Sequence, residues 1–184
     1  VYGDDGIKDE NSACNPKSPY ALQKLQCEQI AELYNHLYDL DYVLLRFFNV
    51  YGPRQDGASP YSTVMAAWRT RLNQQMPLRL DGDGEQTRDY IYIDDVVTAI
   101  STSMETPGCG KFNIATGITV SNNEVLEIIS QSHTLKIESA PARLGDIRHS
   151  GADVTRARVD LGFSAKTSIA DGIAMMFSGG GVNV

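Results

Sequence analysis

The sequence predicts an α/β fold, layered around a mostly parallel sheet. Three observations carry this. Helix-period and strand-period segments alternate along the chain, one strand-like segment is apolar on both faces, and 42% of the 184 residues are hydrophobic against 21% charged. A chain of this length buries well over half of its unfolded surface, so it is expected to fold as one domain or two small ones.

The strongest helix begins at Ser18-Pro19, where the serine hydroxyl can accept from first-turn N–H groups and proline fits the first helical position. Leu22, Leu25, Ile30, Leu33, Tyr34 and Leu37 recur as a half-buried helix requires, and the pattern runs to about Tyr38. Tyr42 to Phe48 is β-branched and aromatic with little alternation, which predicts a strand covered on both faces. Gly, Pro, Asn, Asp and Ser then dominate from Asn49 to Pro60, predicting a long loop before a helix over about Ser62–Gln75. Leu78–Leu80 is a short strand, Asp81–Gly84 a turn, and Asp89–Ile93 alternates like a sheet edge. Asp94 or Asp95 is expected to cap a helix reaching about Glu105.

Pro107-Gly108 breaks the pattern before a strand at Lys111–Ile114. Ser121-Asn-Asn-Glu124 has the capping-box form ahead of a helix over Val125–Gln131, and Leu135–Ser139 is a further strand. After a break at Pro141–Gly151, Thr155–Leu161 and Ser168–Phe177 predict two short closing helices. The glycine-rich stretch 178–184 offers nothing to pack and is expected to be a flexible tail.

Charge and composition exclude several classes of function. Against 16 Lys and Arg stand 23 Asp and Glu, a net charge of −7, and no basic run exists to neutralise a phosphate backbone, so no nucleic-acid partner is expected. No apolar run reaches the roughly 18 residues of a membrane span, and no basic-then-apolar leader opens the sequence. A soluble, cytoplasmic protein is the expectation. Cys14, Cys27 and Cys109 are odd in number and lack C-x-x-C spacing, and His36, His133 and His149 are scattered, so neither a disulfide framework nor a metal site is predicted.

Chemistry enters at Tyr20-Ala-Leu-Gln-Lys24. A spacing of i to i+4 places phenol and ammonium on one helix face, and a nearby cation favours the phenolate, so Tyr20 can serve as a general base. Alone, the same pair fits an ordinary solvated helix face. Its company changes that: Val1-Tyr-Gly3, Ser18-Pro-Tyr-Ala21 with Lys24, Leu45-Arg-Phe-Phe-Asn-Val-Tyr-Gly-Pro-Arg54, Gly82-Asp-Gly-Glu-Gln-Thr-Arg-Asp-Tyr90, Asp94-Asp-Val96 and Phe112-Asn-Ile-Ala115 occur in one order. Together, over about residues 1–175, they resemble the extended short-chain dehydrogenase/reductase family, specifically its NAD-dependent nucleotide-sugar epimerases and dehydratases.

The resemblance implies a partial Rossmann-like parallel sheet, its last elements only, plus a small α/β substrate-binding domain. Residues 1–58 would be the remnant of the NAD-binding domain with the Y-x-x-x-K helix, and 59–177 mostly substrate domain with short returns to the sheet. Tyr20 would be the catalytic base and Lys24 the residue that holds the nicotinamide ribose and lowers the tyrosine pKa. Phe47 and Val50 would lie at the cofactor, Phe48 and Asn49 at the substrate, Asn49 meeting the diphosphate. Arg88 would pair with the diphosphate, where a guanidinium fork fits phosphate oxygens bidentately. Its plainer reading is a surface ion pair with Asp89 or Glu85. In Pro141-Ala-Arg-Leu-Gly-Asp146, Arg143 would contact phosphate and Asp146 the ribose.

Departures from the family pattern matter equally. The dinucleotide loop G-x-x-G-x-x-G, whose N–H groups hold the NAD pyrophosphate, does not occur in this sequence, nor does the Ser or Thr that assists the tyrosine ahead of V-Y-G. The chain is therefore expected to correspond to the C-terminal portion of such an enzyme, missing about four βαβ units, unable to hold NAD tightly and inactive alone. The run R-F-F-N-V-Y-G-P-R-Q looks more like UDP-glucose or UDP-N-acetylglucosamine 4-epimerases than like dehydratases. A dehydratase fragment, a free-standing UDP-sugar binding module and a self-associating relic are the alternatives. Family dimers form through the Y-x-x-x-K helix, which implies a homodimer here.

Overall fold

A computed structural model of the protein describes residues 1–3, 6–57, 62–142 and 147–178. The elements run β1 (Gly6–Lys8), α1 (Pro19–Tyr38), β2 (Val43–Phe47), β3 (Asn49–Tyr51), α2 (Val64–Asn73), β4 (Leu78–Asp81), β5 (Thr87–Tyr92), α3 (Ile93–Glu105), β6 (Gly110–Ile114), β7 (Thr119–Ser121), α4 (Asn122–Ser130), β8 (Ile137–Ala140), β9 (His149–Ala152), α5 (Thr155–Val159) and α6 (Ile169–Ser178). Strands β1, β9, β5 and β3 lie side by side in parallel, and β7 joins β5 antiparallel. Two parallel pairs, β2 with β6 and β4 with β8, complete a mixed α/β architecture of partial Rossmann-like form.

Local chemistry explains the helix starts. Ser18 Oγ accepts from Ala21 N at 3.1 Å with Pro19 at N1, as its sequence predicts. At α4 both halves of the capping box form: Glu124 N donates to Ser121 Oγ at 3.1 Å, and Ser121 N donates to Glu124 Oε2 at 2.6 Å. The expected cap of α3 does not form. Tyr92 occupies the N-cap position with no side-chain bond, while Asp95 accepts from Lys166 N and Thr167 N, each at 3.0 Å. That carboxylate ties the 166–167 backbone to α3, since a buried backbone N–H needs an acceptor.

Four strands escape the sequence pattern, namely β1, β3, β7 and β9, because runs of three or four residues are too short to show a period. The segment 87–92 is no edge: β5 pairs with β3, β7 and β9, and Asp89 to Tyr92 are all buried. Its polar alternation comes from Asp89, fully buried, which accepts from Thr116 N at 2.8 Å, Thr116 Oγ1 at 2.7 Å and Gly117 N at 2.8 Å. Burial pushes this carboxyl above its usual range, and those donors work against the shift.

Two further expectations are corrected. Val43, Leu44 and Leu45 of β2 are only half-buried, so its faces are not fully covered, and among the described residues the strand pairs with β6 alone. Helix α1 buries only Glu28, whereas Leu22, Ile30, Leu33, Tyr34 and Leu37 are all about half exposed or more. The apolar periodicity is real, and nothing among the described residues covers it. The two buried cores lie elsewhere. One gathers Tyr51, Met65, Trp68, Leu78, Val125, Ile129 and Met176 between α2, α4 and α6; the other joins Ile91, Val96, Ala99, Phe112, Ile114 and Phe163 around β5, β6 and α3.

Candidate active site

The segment Arg46 to Tyr51 changes sheet partner in mid-course. As β2 it pairs with β6; Phe48 N donates to Ile114 O at 3.1 Å, Val50 N donates to Phe48 O at 2.8 Å, and the chain continues as β3 beside β5. The kink opens a cleft at the carboxyl end of β2, the position where parallel sheets bind ligands. Tyr20, Phe47, Phe48, Asn49 and Val50 all line this cleft of about 570 Å³, together with Val1, Tyr2, Gly3, Lys8, Arg46, Gln55 and Thr63. Five of the nine residues singled out by sequence are thus brought to one place. Lys24 stacks beside them, its Nζ 5.4 Å from the centre of the Tyr20 ring, as their i, i+4 spacing requires. Tyr20 is 65% exposed, open to an incoming ligand.

A second cavity of about 580 Å³ adjoins the first. Its walls include Arg88, Arg79, Gln86, Trp68, Tyr90 and Asn122, and it shares Asn49 and Thr63 with the Tyr20 cleft. Trp68 is buried, and its Nε1 donates to Arg79 O at 2.7 Å, which fixes α2 against β4 along one wall. Arg88 Nη1 donates to Thr87 O at 2.8 Å and to Arg148 O at 3.3 Å. The carboxylates considered for it are engaged elsewhere: Asp89 is buried and holds the 116–117 turn, and Glu85 Oε1 accepts from Asn123 Nδ2 at 2.6 Å. Arg143 and Asp146 lie outside the described residues, as does segment 179–184 of the expected tail.

Beneath the cleft runs a buried polar network that the sequence reading did not assign. Arg46 grips Glu28 with both arms of its guanidinium, Nε to Oε1 at 2.8 Å and Nη2 to Oε2 at 2.6 Å. Its Nη1 donates to Tyr2 Oη at 2.8 Å; Tyr2 Oη in turn donates to Asn113 Oδ1 at 2.6 Å. Asn113 Nδ2 donates to Lys8 O at 2.9 Å and to Asp153 O at 3.2 Å. Burial pulls the Arg46 guanidinium down, yet the bonds to Glu28 and Tyr2 outweigh it and hold the group above its ordinary value. Burial likewise pushes the Tyr2 phenol up, with Arg46 and Asn113 opposing.

This network gives three of the quoted motifs a physical content. Tyr2 of V-Y-G, Arg46 of R-F-F-N and Asn113 of F-N-I-A are side chains of one bonded set. Glu28 extends the i, i+4 series of Tyr20 and Lys24 by one more turn, a signal that spacing alone could have supplied. Gly3 belongs to the same corner: at φ 71° its Cα lies against the Asn15 carbonyl, and a Cβ would overlap that oxygen.

Residues 1–115 match the profile of the NAD dependent epimerase/dehydratase family, more than half of the chain. The chain belongs to this family. The UDP-glucose 4-epimerase of Mycolicibacterium smegmatis is 39% identical over 168 residues, which covers 90% of this chain and 53% of that protein. Among solved structures, the UDP-glucose 4-epimerase of Thermotoga maritima with UDP-glucose has a TM-score of 0.86 at 34% identity, covering 96% of this chain and 59% of that one. The UDP-glucuronic acid 4-epimerase of Bacillus cereus, in complex with UDP-glucuronic acid and NAD, has a TM-score of 0.86 at 28% identity, covering 97% and 57%. The chain therefore spans between half and two thirds of the length of these epimerase/dehydratase relatives.

The family's cofactor can be tested against the residues present. The cleft around Tyr20, Phe47 and Val50 has the aromatic and apolar walls that a nicotinamide ring requires, with Lys24 beside the tyrosine. No glycine-rich strand-to-helix turn occurs among the described residues to receive a pyrophosphate. This chain fits one end of NAD. No group of three or more His, Cys, Asp or Glu side chains that could hold a metal occurs among the described residues, and no described helix is long and apolar enough to cross a membrane.

Proposed function

We propose that this chain carries the sugar-nucleotide site and the proton-transfer residues of an NAD-dependent UDP-hexose 4-epimerase. The observation that supports this is the junction of the Tyr20 cleft with the Arg88 cavity through the shared walls Asn49 and Thr63. A UDP-sugar has its diphosphate on sugar C1 and its reacting hydroxyl on C4. One ligand can thus place phosphate at Asn49 and Arg88 while offering C4 to Tyr20. Arg143 and Asp146 take the remaining phosphate and ribose contacts in this assignment.

Tyr20, with Lys24 beside it, removes the proton from the 4-hydroxyl and later returns it. Phe47, Phe48 and Val50 exclude water from the reacting carbon. Tyr20, Lys24, Phe47 and Val50 would hold the nicotinamide end of NAD, which would supply the acceptor and donor for the C4 hydride. Because no pyrophosphate cradle occurs among the described residues, these 184 residues by themselves are expected neither to retain NAD tightly nor to turn over; conversion of UDP-glucose to UDP-galactose by the pure protein would refute this. Residues 1–58 act as the cofactor-side unit and 59–177 mostly as the sugar-nucleotide unit.

Native mass spectrometry after incubation with NAD and UDP-glucose tests the whole assignment. UDP-glucose is expected bound without NAD, and Arg88→Ala is expected to weaken it at least tenfold, the scale of a lost charge-assisted phosphate contact. Absence of any binding of UDP at millimolar concentration removes the reading. The exposed apolar face of α1 supports self-association of two copies through that helix. A mass of one chain by light scattering at micromolar concentrations would contradict the dimer.

A further inference from the structure

We infer that Arg46 is a positioning residue of the site: by tying α1, β2 and the segment ahead of α1 together at one guanidinium, it sets the distance between Tyr20 and the strand that carries Asn49. This rests on the nucleotide-sugar reading above.

Arg46 lines the Tyr20 cleft, and an arginine in such a wall would ordinarily be assigned to a phosphate of the ligand. Its donors point elsewhere. A guanidinium carries five N–H groups, and the bonds of Arg46 within the chain match that number. Nε and Nη2 hold the two carboxylate oxygens of Glu28, Nη1 donates to Tyr2 Oη at 2.8 Å and to Glu10 O at 3.4 Å, and Nη2 also reaches Cys14 Sγ at 3.5 Å. Nothing is left over for a ligand, so the effect of Arg46 on the reaction runs through its partners.

Those partners belong to different parts of the site. Glu28 lies on α1, the helix that presents Tyr20 and Lys24. Tyr2, Glu10 and Cys14 belong to the segment ahead of that helix, whose Val1, Tyr2, Gly3 and Lys8 line the cleft. Arg46 itself stands on β2, three residues before Asn49. One side chain therefore joins the helix of the proton acceptor to the strand that leads to the diphosphate contact.

Leverage makes this junction decisive. Glu28 is the only buried residue of α1, and the other side-chain bonds from the helix to β6 and its approach lie beyond it, Glu32 with Lys111 and Asn35 Nδ2 with Cys109 Sγ at 3.2 Å. Tyr20 stands two turns ahead of Glu28, about 12 Å along the axis. It is the end of a lever pinned at Glu28. The sugar ring fixes the spacing from C1 to C4, so a site that holds phosphate at Asn49 must hold Tyr20 at the matching distance. An error of about 1 Å in such a placement can cost on the order of a hundredfold in rate. A two-pronged fork resists the tilt of the helix that a single bond would allow.

Tyrosine-ring NMR of the full chain, with the Tyr20 signal assigned by Tyr20→Phe, tests this. In the unaltered chain that signal is expected to move with UDP-glucose and not with UDP, which ends short of the phenol. Two variants then separate position from stability. Arg46→Met with Glu28→Leu replaces the fork by an apolar pair that strands no charge, and Glu28→Asp keeps the charge on a side chain one methylene shorter. Both are expected to fold and to bind UDP, while most of the response of Tyr20 to UDP-glucose is lost. A full response in either folded variant overturns the inference. Loss of UDP binding together with the response, or failure of both variants to fold, shows a merely structural pair and overturns it equally. Failure of UDP and UDP-glucose to bind the unaltered chain is a different result, because it removes the nucleotide-sugar reading and this inference with it. UDP-glucose bound with a silent Tyr20 removes the proton-transfer half of that reading, and the positioning role falls too.

Discussion

The region around Trp68 and the region around α1 solve the problem of burial in opposite ways. Near Trp68, helices α2, α4 and α6 close over Tyr51, Met65, Leu78, Val125, Ile129 and Met176, and apolar surface is consumed within this chain. Near α1, the apolar residues Leu22, Ile30, Leu33, Tyr34 and Leu37 face outward while the buried contacts of the helix are ionic, Glu28 with Arg46. The first region completes its own core. The second is held to the sheet by charge and leaves its greasy face for another surface, which supports the proposed dimer.

The largest expected effect strikes the ionic side. Arg46→Met leaves Glu28 buried with its bidentate partner gone, and is expected to cost about 3–5 kcal/mol in urea unfolding. Adding Glu28→Leu is expected to recover most of that loss, because an apolar pair has no charge to desolvate. A double variant as unstable as the single one would show that the geometry of the network, not the stranded charge, is what matters.

A direct contrast between the two regions follows. Ile129→Ala is expected to cost about 2–5 kcal/mol, the range for a fully packed aliphatic side chain. Leu33→Ser should shift the stability of the monomer by no more than about 0.5 kcal/mol but disrupt self-association in light scattering. Equal losses at the two sites would erase the distinction.

Ser121→Ala removes the cap of α4 and is expected to cost about 1 kcal/mol by thermal unfolding. The smallest effect concerns the partner in that cap. The Ser121 backbone N–H holds the Glu124 carboxyl below its ordinary value. Its stabilisation is therefore complete above about pH 4.5 and is lost as pH falls through the lowered folded value. Glu124→Gln is expected to be less stable at pH 7 by a few tenths of a kcal/mol, screened as an exposed group must be. That gap should close as the solution becomes acidic. A gap independent of pH would assign the effect to shape rather than charge.

Helix starts were the most legible feature, because Ser18-Pro19 and Ser121-x-x-Glu124 act over four residues and carry their own acceptors. The strands β1, β3, β7 and β9 were not, since each exists only through partners far away in the chain. Asp95 shows the same limit at a single residue. Its place after a strand suggests a cap, yet its acceptors' partners lie at Lys166 and Thr167.

The sequence by itself determined the family, the helix that presents Tyr20 and Lys24, and the motif order that marks Phe47, Phe48, Asn49 and Arg88. Each of these depends on neighbours a few residues apart, whose bonds are written in their spacing. Tertiary structure alone decided that β2 and β3 part at Phe48 to open the cleft, that Tyr2, Glu28, Arg46 and Asn113 form one buried network, and that Thr63 at the start of α2 bonds to Gln55 beside the Tyr20 cleft. Contacts between residues up to 111 positions apart leave no local period to read; they exist because a buried donor or charge must find a partner once the chain has folded.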